Sequence, residues 1–115
     1  MINNRRHEVL ARITSRCDEV HTGFMKDGVP SACHLWQGST SGEGRGGGYG
    51  RISLNGHTVA THLVVFTHYY GYIPGNKQID HLCNQRKCCN PHHLELVSHI
   101  VNQRRKFTRK LLHIN

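Results

Sequence analysis

At 115 residues the chain is the size of one domain, and with only 37 % hydrophobic residues and twelve glycines its apolar core is thin enough that a structural metal is a reasonable staple. Five cysteines, grouped as Cys83, Cys88 and Cys89 with Cys17 and Cys33 far upstream, are not the even framework of a secreted disulfide scaffold. No apolar run follows the charged start Met1 to Arg6 or reaches the length of a membrane span, so the expected setting is soluble, intracellular and reducing.

Formal net charge is +8, unevenly spread. Residues 1–57 hold seven Lys/Arg against five Asp/Glu (+2), and residues 58–115 hold eight against two (+6). A basic half without an amphipathic anchor points to nucleic acid, because neutralising phosphates releases counterions and gives sequence-independent affinity.

From Arg5 to about Val20, Val9, Leu10, Ile13 and Cys17 recur at three- and four-residue intervals, which predicts a short amphipathic helix. Val20 to Ser31, with Gly23, Asp27-Gly28 and Pro30, reads as a loop. Cys33 to Gly38 places the single Trp, Trp36, near a Cys, and Ser39 to Gly48 is a Gly-rich loop without the Gly-Lys-Ser/Thr ending of a P-loop. Tyr49 to Ala60 is a hairpin signal, since Asn55-Gly56 supplies the positive φ angles of a type I′ turn. Alternation puts Ile52 and Leu54 on the core face and Arg51 on the other, where it is a candidate phosphate contact. Thr61 to Tyr70 reads as a helix stopped by Gly71 with Pro74 beyond, and His62 at its start as a core histidine bonded to backbone or a group that supports the reactive residues, the first being favoured. Lys77 to Leu82 reads as a strand, Cys83 to His92 as a knuckle-like loop, and Leu94 to Val97 as a second strand. Ser98 then caps a helix from His99 to about Phe107.

The chemistry concentrates between Ile79 and Asn102. Cys83-x4-Cys88-x4-His93 offers three ligands of the kind Zn²⁺ prefers, and a structural zinc wants four. Cys89, adjacent to Cys88, points elsewhere, which leaves Cys17 and Cys33 as remote donors. Asp80 at a strand end and Asn102 on the following helix are oxygen ligands suited to a Mg²⁺ (or Mn²⁺) ion that keeps several waters for a phosphate substrate. His81, held from behind by a backbone carbonyl, would deprotonate the attacking water.

The pattern Asp80-His81-Leu82-Cys83-x4-Cys88-x-Asn90-Pro91-x-His93-Leu94-Glu95-x-Val97-x4-Asn102 resembles the HNH, or His-Me finger (ββα-metal), endonuclease motif in its zinc-stabilised, phage- or intron-encoded form. It is also similar to the His-Cys box of homing endonucleases, although no Cys follows Cys89 to build their second zinc cluster. Cys33-x-Leu-Trp-x-Gly, Gly48-Tyr49-Gly50-Arg51, Thr61-His62-Leu63-Val64 and Gly71-Tyr72-Ile73-Pro74-Gly75 extend the resemblance from residue 33 to about 105.

The resemblance implies an α+β fold, a small single domain with a β-hairpin and a ββα-metal core stabilised by zinc. Residues 1–32 form an N-terminal helix and loop, 33–107 the endonuclease domain and 108–115 a basic tail. It implies His81 as general base, Asp80 and Asn102 as Mg²⁺ ligands, Asn90 as the loop brace, Arg51 near the scissile phosphate, and Cys33, Cys83, Cys88 and His93 around zinc. The implied reaction is hydrolysis of double-stranded DNA to 5′-phosphate and 3′-hydroxyl ends, by a homing or phage-type enzyme. Arg51, Arg86, Lys87, Arg104, Arg105, Lys106, Arg109 and Lys110 are the candidate DNA contacts, and a homodimer on a near-palindromic site is a possible assembly. Localisation follows the source: a bacterial or phage-infected cytoplasm, or a nucleus for an intron-encoded protein. The competing reading is a zinc-bearing DNA-binding module without catalysis, which has no reason to carry Asp80, His81 and Asn102 together.

Overall fold

Helix α1 (Asn4–Ser15) forms where Val9, Leu10 and Ile13 recur at helical spacing, and Ile13 is fully buried. The computed structural model describes residues 4–42 and 47–112. The first helix stops sooner than periodicity predicts, because Cys17 opens a strand, β1 (Cys17–Val20). The predicted loop that follows contains a short hairpin, β2 (Met25–Lys26) and β3 (Val29–Pro30), turned by Asp27 and Gly28 at φ of 53° and 80°. Strand β4 (Cys33–Trp36) then pairs antiparallel with β1, Cys17 opposite Trp36 and Val20 opposite Cys33. That long-range ladder is what overrides the helical periodicity at Cys17. Of the Gly-rich loop, residues 43–46 lie outside the described residues.

The predicted hairpin is present as β5 (Arg51–Leu54) and β6 (His57–Ala60), with Asn55 and Gly56 at φ of 52° and 81°. Ile52 is buried and Leu54 packs beside it, as alternation predicts. Helix α2 (Thr61–Tyr70) follows directly, and the Gly71 N–H closes it on the Thr67 carbonyl with φ of 96°, a conformation cheap only for glycine.

Strand β7 (Lys77–His81) and strand β8 (Leu94–Ser98) pair antiparallel, Asp80 opposite Glu95 and His81 opposite Leu94. Between them Asn84, at φ of 62°, and a 3₁₀ turn over Pro91–His93 shape the knuckle. The knuckle leans on β4: Trp36 donates its backbone N–H to the Lys87 carbonyl (2.9 Å), and Cys89 donates to that of His34 (2.7 Å). Ser98 caps helix α3 (His99–Leu112) as predicted, its Oγ accepting the Val101 N–H at 3.2 Å. The helix runs five residues beyond Phe107, so 108–112 of the predicted tail are helical, and 113–115 lie outside the described residues.

All the paired strands form two-stranded antiparallel ribbons, which makes the fold α+β. Each such ribbon alone would be marginal. The core therefore gathers residues from along the chain: Ile13 of α1, Trp36 of β4, Ile52 of β5, Val65 and Phe66 of α2, Cys89 of the knuckle and Leu94 of β8. Trp36 is the keystone, 1 % exposed, with its indole N–H on the Ser39 carbonyl (2.8 Å). Gly50 is required beside it, since a Cβ there would stand 2.7 Å from Trp36 Cδ1 and 2.4 Å from Thr61 Oγ1. A second, smaller cluster of Cys33, Cys83 and Cys88, flanked by Phe24 and Leu35, lies on the other side of the knuckle.

Candidate active site and metal cluster

The knuckle carries one site on each side. On the first, Cys33 at the start of β4, Cys83 and Cys88 of the loop, and His93 of the 3₁₀ turn bring their donor atoms within 4.8 Å of one another, all buried. His93 Nδ1 lies 3.5 Å from Cys88 Sγ and 3.7 Å from Cys33 Sγ. A tetrahedral zinc with bonds of about 2.3 Å to sulfur and about 2.0 Å to nitrogen spaces its ligands by roughly 3.5–3.8 Å, so the donor set fits that ion.

The surroundings agree with this reading. Ser31 Oγ sits 2.7 Å from His93 Nε2 and accepts its proton, which leaves Nδ1 as a lone pair facing the sulfurs. A hydrogen bond from Cys83, aided by the Asn90 N–H and the nearby His93, lowers the Cys88 thiol to about 5 despite burial. Burial chiefly raises Cys33, and the bond to Cys88 chiefly raises Cys83. Three buried thiolates repel one another unless a cation compensates them, and a divalent ion does so.

Of the two remote donors left open by spacing, Cys33 is in the cluster. Cys17 instead gives its thiol proton to the Ile13 carbonyl (3.2 Å) and packs with Cys89 on the core side of the knuckle. Asn90, 6 % exposed, ties the loop down: Nδ2 donates to the Ala32 carbonyl (2.8 Å) and Oδ1 accepts the His92 N–H (3.0 Å). It stands with the cysteine cluster, not in the cavity on the opposite side.

That second side holds a cavity of about 360 Å³ whose lining includes Asp80, His81, Asn102, Tyr49, Arg86 and Arg109. Asp80 and His81 end β7 and Asn102 lies one turn into α3, so the ββα arrangement brings all three together. His81 donates Nε2–H to the Cys88 carbonyl at 3.2 Å, and its Nδ1 has no hydrogen bond among the described residues. Burial pushes the His81 pKa down, partly offset by Cys88 and Asp80.

Asn102 is 5 % exposed and gives its Nδ2–H to Gln78 Oε1, while Oδ1 is buried with no hydrogen-bond partner among the described residues. An orphaned carbonyl oxygen of this kind costs about 1–3 kcal/mol unless it serves a ligand, and it suits an oxygen-seeking cation. Asp80, 4 % exposed, is engaged. Arg109 reaches both of its oxygens (3.0 and 2.9 Å) and Arg105 reaches Oδ2 (3.0 Å) while also holding Glu95. Burial pushes the Asp80 carboxyl up, but the hydrogen bonds from Arg109 and Arg105 outweigh it and hold it below the usual carboxylate range.

Two further residues lie beside or near this cavity. His62 Nδ1 is buried with no hydrogen-bond partner among the described residues, and its ring stacks on Tyr49 (5.2 Å) and faces His81 (4.6 Å). Burial, then His81 and Arg51, lower it to about 3, so it stays neutral. Arg51 lines a larger groove of about 870 Å³ between α1, the β5–β6 hairpin and α2, not the cavity that holds His81. That groove is mostly apolar and contains none of Asp80, His81 or Asn102, so its size does not mark the chemistry.

The other predicted cations divide. Arg86, Lys106 and Lys110 line the cavity, with Arg86 bonded to the Gly47 carbonyl (2.6 Å) and stacked over Tyr49 (5.1 Å). Lys87 and Arg104 are exposed, and Arg105 and Arg109 are committed to Asp80. Ser31 and Tyr49 were missed as site residues; Ser31, two positions before Cys33, carries no local signal of its own.

Residues 59–104 match the family model described as HNH endonuclease. The chain is 33 % identical over 64 residues to Protein 7.7 of Escherichia phage T7, covering 56 % of this chain and 46 % of that protein. It is 39 % identical over 54 residues to the uncharacterized gene 5.3 protein of Enterobacteria phage T3, covering 43 % of this chain and 54 % of that one. The chain thus spans about half the length of the curated relatives it matches. No solved structure matches. No helix among the described residues is long and apolar enough to cross a membrane. From β6 through the knuckle into α3, residues 59–104 are thus similar to HNH endonucleases and to parts of two phage proteins, and they share the knuckle with a Cys₃His cluster compatible with zinc.

Proposed function

We propose that the chain is a metal-dependent endonuclease that hydrolyses phosphodiester bonds of double-stranded DNA, with His81 as the general base. One observation carries most of the reading. The His81 ring spends its Nε2–H on the Cys88 carbonyl, so Nδ1 keeps its lone pair at the wall of the cationic cavity. Burial disfavours the imidazolium and keeps the ring ready to accept a proton at neutral pH.

In this reading Nδ1 takes the proton of a water aimed at phosphorus. Asp80 and Asn102 hold Mg²⁺ (or Mn²⁺) through a carboxylate and an amide oxygen. When bound, the cation supplies Lewis-acid stabilisation of the leaving 3′-oxygen, giving 5′-phosphate and 3′-hydroxyl ends. Arg86, Lys106 and Lys110 receive the phosphates at the cavity, and Lys87, Arg104 and Arg51 extend the basic surface around it. Cys33, Cys83, Cys88 and His93 hold a structural Zn²⁺ that fixes the loop, and Asn90 braces it. The setting carried over from the phage relatives is an infected bacterial cytoplasm, and a homodimer on a near-palindromic site is the assembly to look for.

The engagement of Asp80 by Arg105 and Arg109 favours the second reading, a zinc-bearing DNA-binding module without catalysis. Nicking of supercoiled plasmid with Mg²⁺ separates the two. The wild type should nick and His81→Ala should bind without nicking; if both bind and neither nicks in either Mg²⁺ or Mn²⁺, the nuclease reading is lost.

A further inference from the structure

A buried carboxylate gripped by two arginines is a stable arrangement, because neither the Asp80 charge nor its lone pairs are left bare. It is a poor arrangement for receiving a divalent cation. The Asp80 charge already faces two positive ones, of which Arg105 is shared with Glu95, and the incoming cation would meet both guanidinium groups at close range. The same helix supplies both arms and the second oxygen: Asn102, Arg105 and Arg109 are three and four residues apart, on one face of α3. The arginines are not fixed by burial, since their side chains keep 35 % and 27 % exposure, and each is long enough to swing without moving the helix. The cavity lined by Asp80 and Arg109 also holds Arg86, Lys106 and Lys110, with Asp80 its one acidic residue among those described, so what balances it is a polyanion.

We infer that Arg105 and Arg109 are a latch on Asp80 that DNA opens: a phosphodiester takes over the two guanidinium groups, and the freed carboxylate then joins Asn102 Oδ1 as a cation ligand. Guanidinium binds phosphate in the same forked geometry as carboxylate, so the exchange replaces one set of charge-assisted hydrogen bonds with another. DNA and divalent cation therefore bind with positive cooperativity, and by linkage each tightens the other by the same factor. The free chain is kept from holding its metal, and from hydrolysing, until a duplex is in place. The inference rests on the reading of Asp80 and Asn102 as the cation ligands.

The test measures Mn²⁺ binding to zinc-loaded His81→Ala protein by electron paramagnetic resonance, with and without a saturating short duplex that this variant does not cut. Duplex should tighten Mn²⁺ about tenfold or more. In the same background Arg105→Gln/Arg109→Gln should tighten Mn²⁺ in the absence of DNA by a similar factor and shrink the effect of duplex. Lys106→Gln/Lys110→Gln, with the same loss of charge but no bond to Asp80, should shift it far less. If the arginine double variant does not fold, Arg109→Lys keeps the charge and removes the fork, and intermediate tightening is expected. Equal shifts in the two double variants, or Mn²⁺ affinity indifferent to duplex, overturn the latch while plasmid nicking by the wild type leaves the nuclease reading standing. Absence of Mn²⁺ binding under every condition, together with absence of nicking, removes both.

Discussion

The two sides of the knuckle use the same twelve-residue excursion from β7 to β8 to opposite ends. On the zinc side four soft donors converge on one point, and their second partners, such as Ser31 for His93, are already in place. On the cavity side one donor is orphaned at Asn102 and the other, Asp80, is held by cations from α3. The first is a site completed by folding; the second is a site that folding keeps incomplete. Buried like charges can be tolerated only with a permanent counterion, whereas a reacting centre must be able to trade its partners.

The sharpest way to break this contrast is to remove the zinc side. His93→Ala, or a strong chelator, should remove a contribution on the order of 10 kcal/mol and abolish the cooperative thermal melt along with bound zinc. A variant that still melts cooperatively at a similar temperature would mean the cluster is packing only. His81→Ala should do the reverse, lowering plasmid cleavage by about 10²–10⁴-fold while the melt stays within a few degrees of wild type. Loss of fold in this variant would merge the two sides.

Ser31→Ala probes the zinc side more gently. Without the oxygen that accepts its Nε2–H, His93 loses its set tautomer, and zinc affinity should fall about 10–100-fold in competition with a chromophoric chelator. An unchanged affinity would show that the imidazole is oriented by packing against Phe24 alone. The smallest effect concerns His62. Its folded pKa of about 3 lies below the unfolded value of about 6.5, so between those values the unfolded chain binds the extra proton. Stability therefore falls as pH drops below about 6.5, by at most about 1.4 kcal/mol per pH unit for this residue. Denaturant titrations at pH 7 and 5.5 should give a shallower dependence for His62→Gln than for wild type, and equal slopes would place His62 outside the acid response.

What could be read from the chain was what local chemistry dictates. Asn55-Gly56 can turn only one way between two β-rich runs, Gly71 stops α2, and Ser98 caps α3, so these elements stand where predicted. The spacing of Cys83, Cys88 and His93 was equally legible, because a tetrahedral ion constrains short loops; the match upstream then singled out Cys33. The strand at Cys17 was not legible, since its cause is a ladder with residues thirteen to nineteen positions away, and the same four-residue interval serves helix and strand start alike. Nor was the grip on Asp80. Arg105 and Arg109 read as part of a basic stripe, and only the angle at which α3 crosses β7 turns that face inward. The choice between two places for His62 stayed open for a related reason: an aromatic helix start says that a ring is buried, not which rings it meets.

Cys88 belongs to both sides at once. Its sulfur faces the cluster and its carbonyl receives the His81 proton, so a single residue separates the metal from the tautomer of the proposed base. During synthesis residue 33 leaves the ribosome some fifty residues ahead of the knuckle that must capture it. The Cys89 N–H on the His34 carbonyl fixes the direction of the Cys88 peptide only once β4 and the knuckle have met. On the proposed reading, zinc that holds Cys33 to the knuckle also holds the proposed base in its tautomer, and a cell short of zinc would accumulate a protein that is silent as well as unstable.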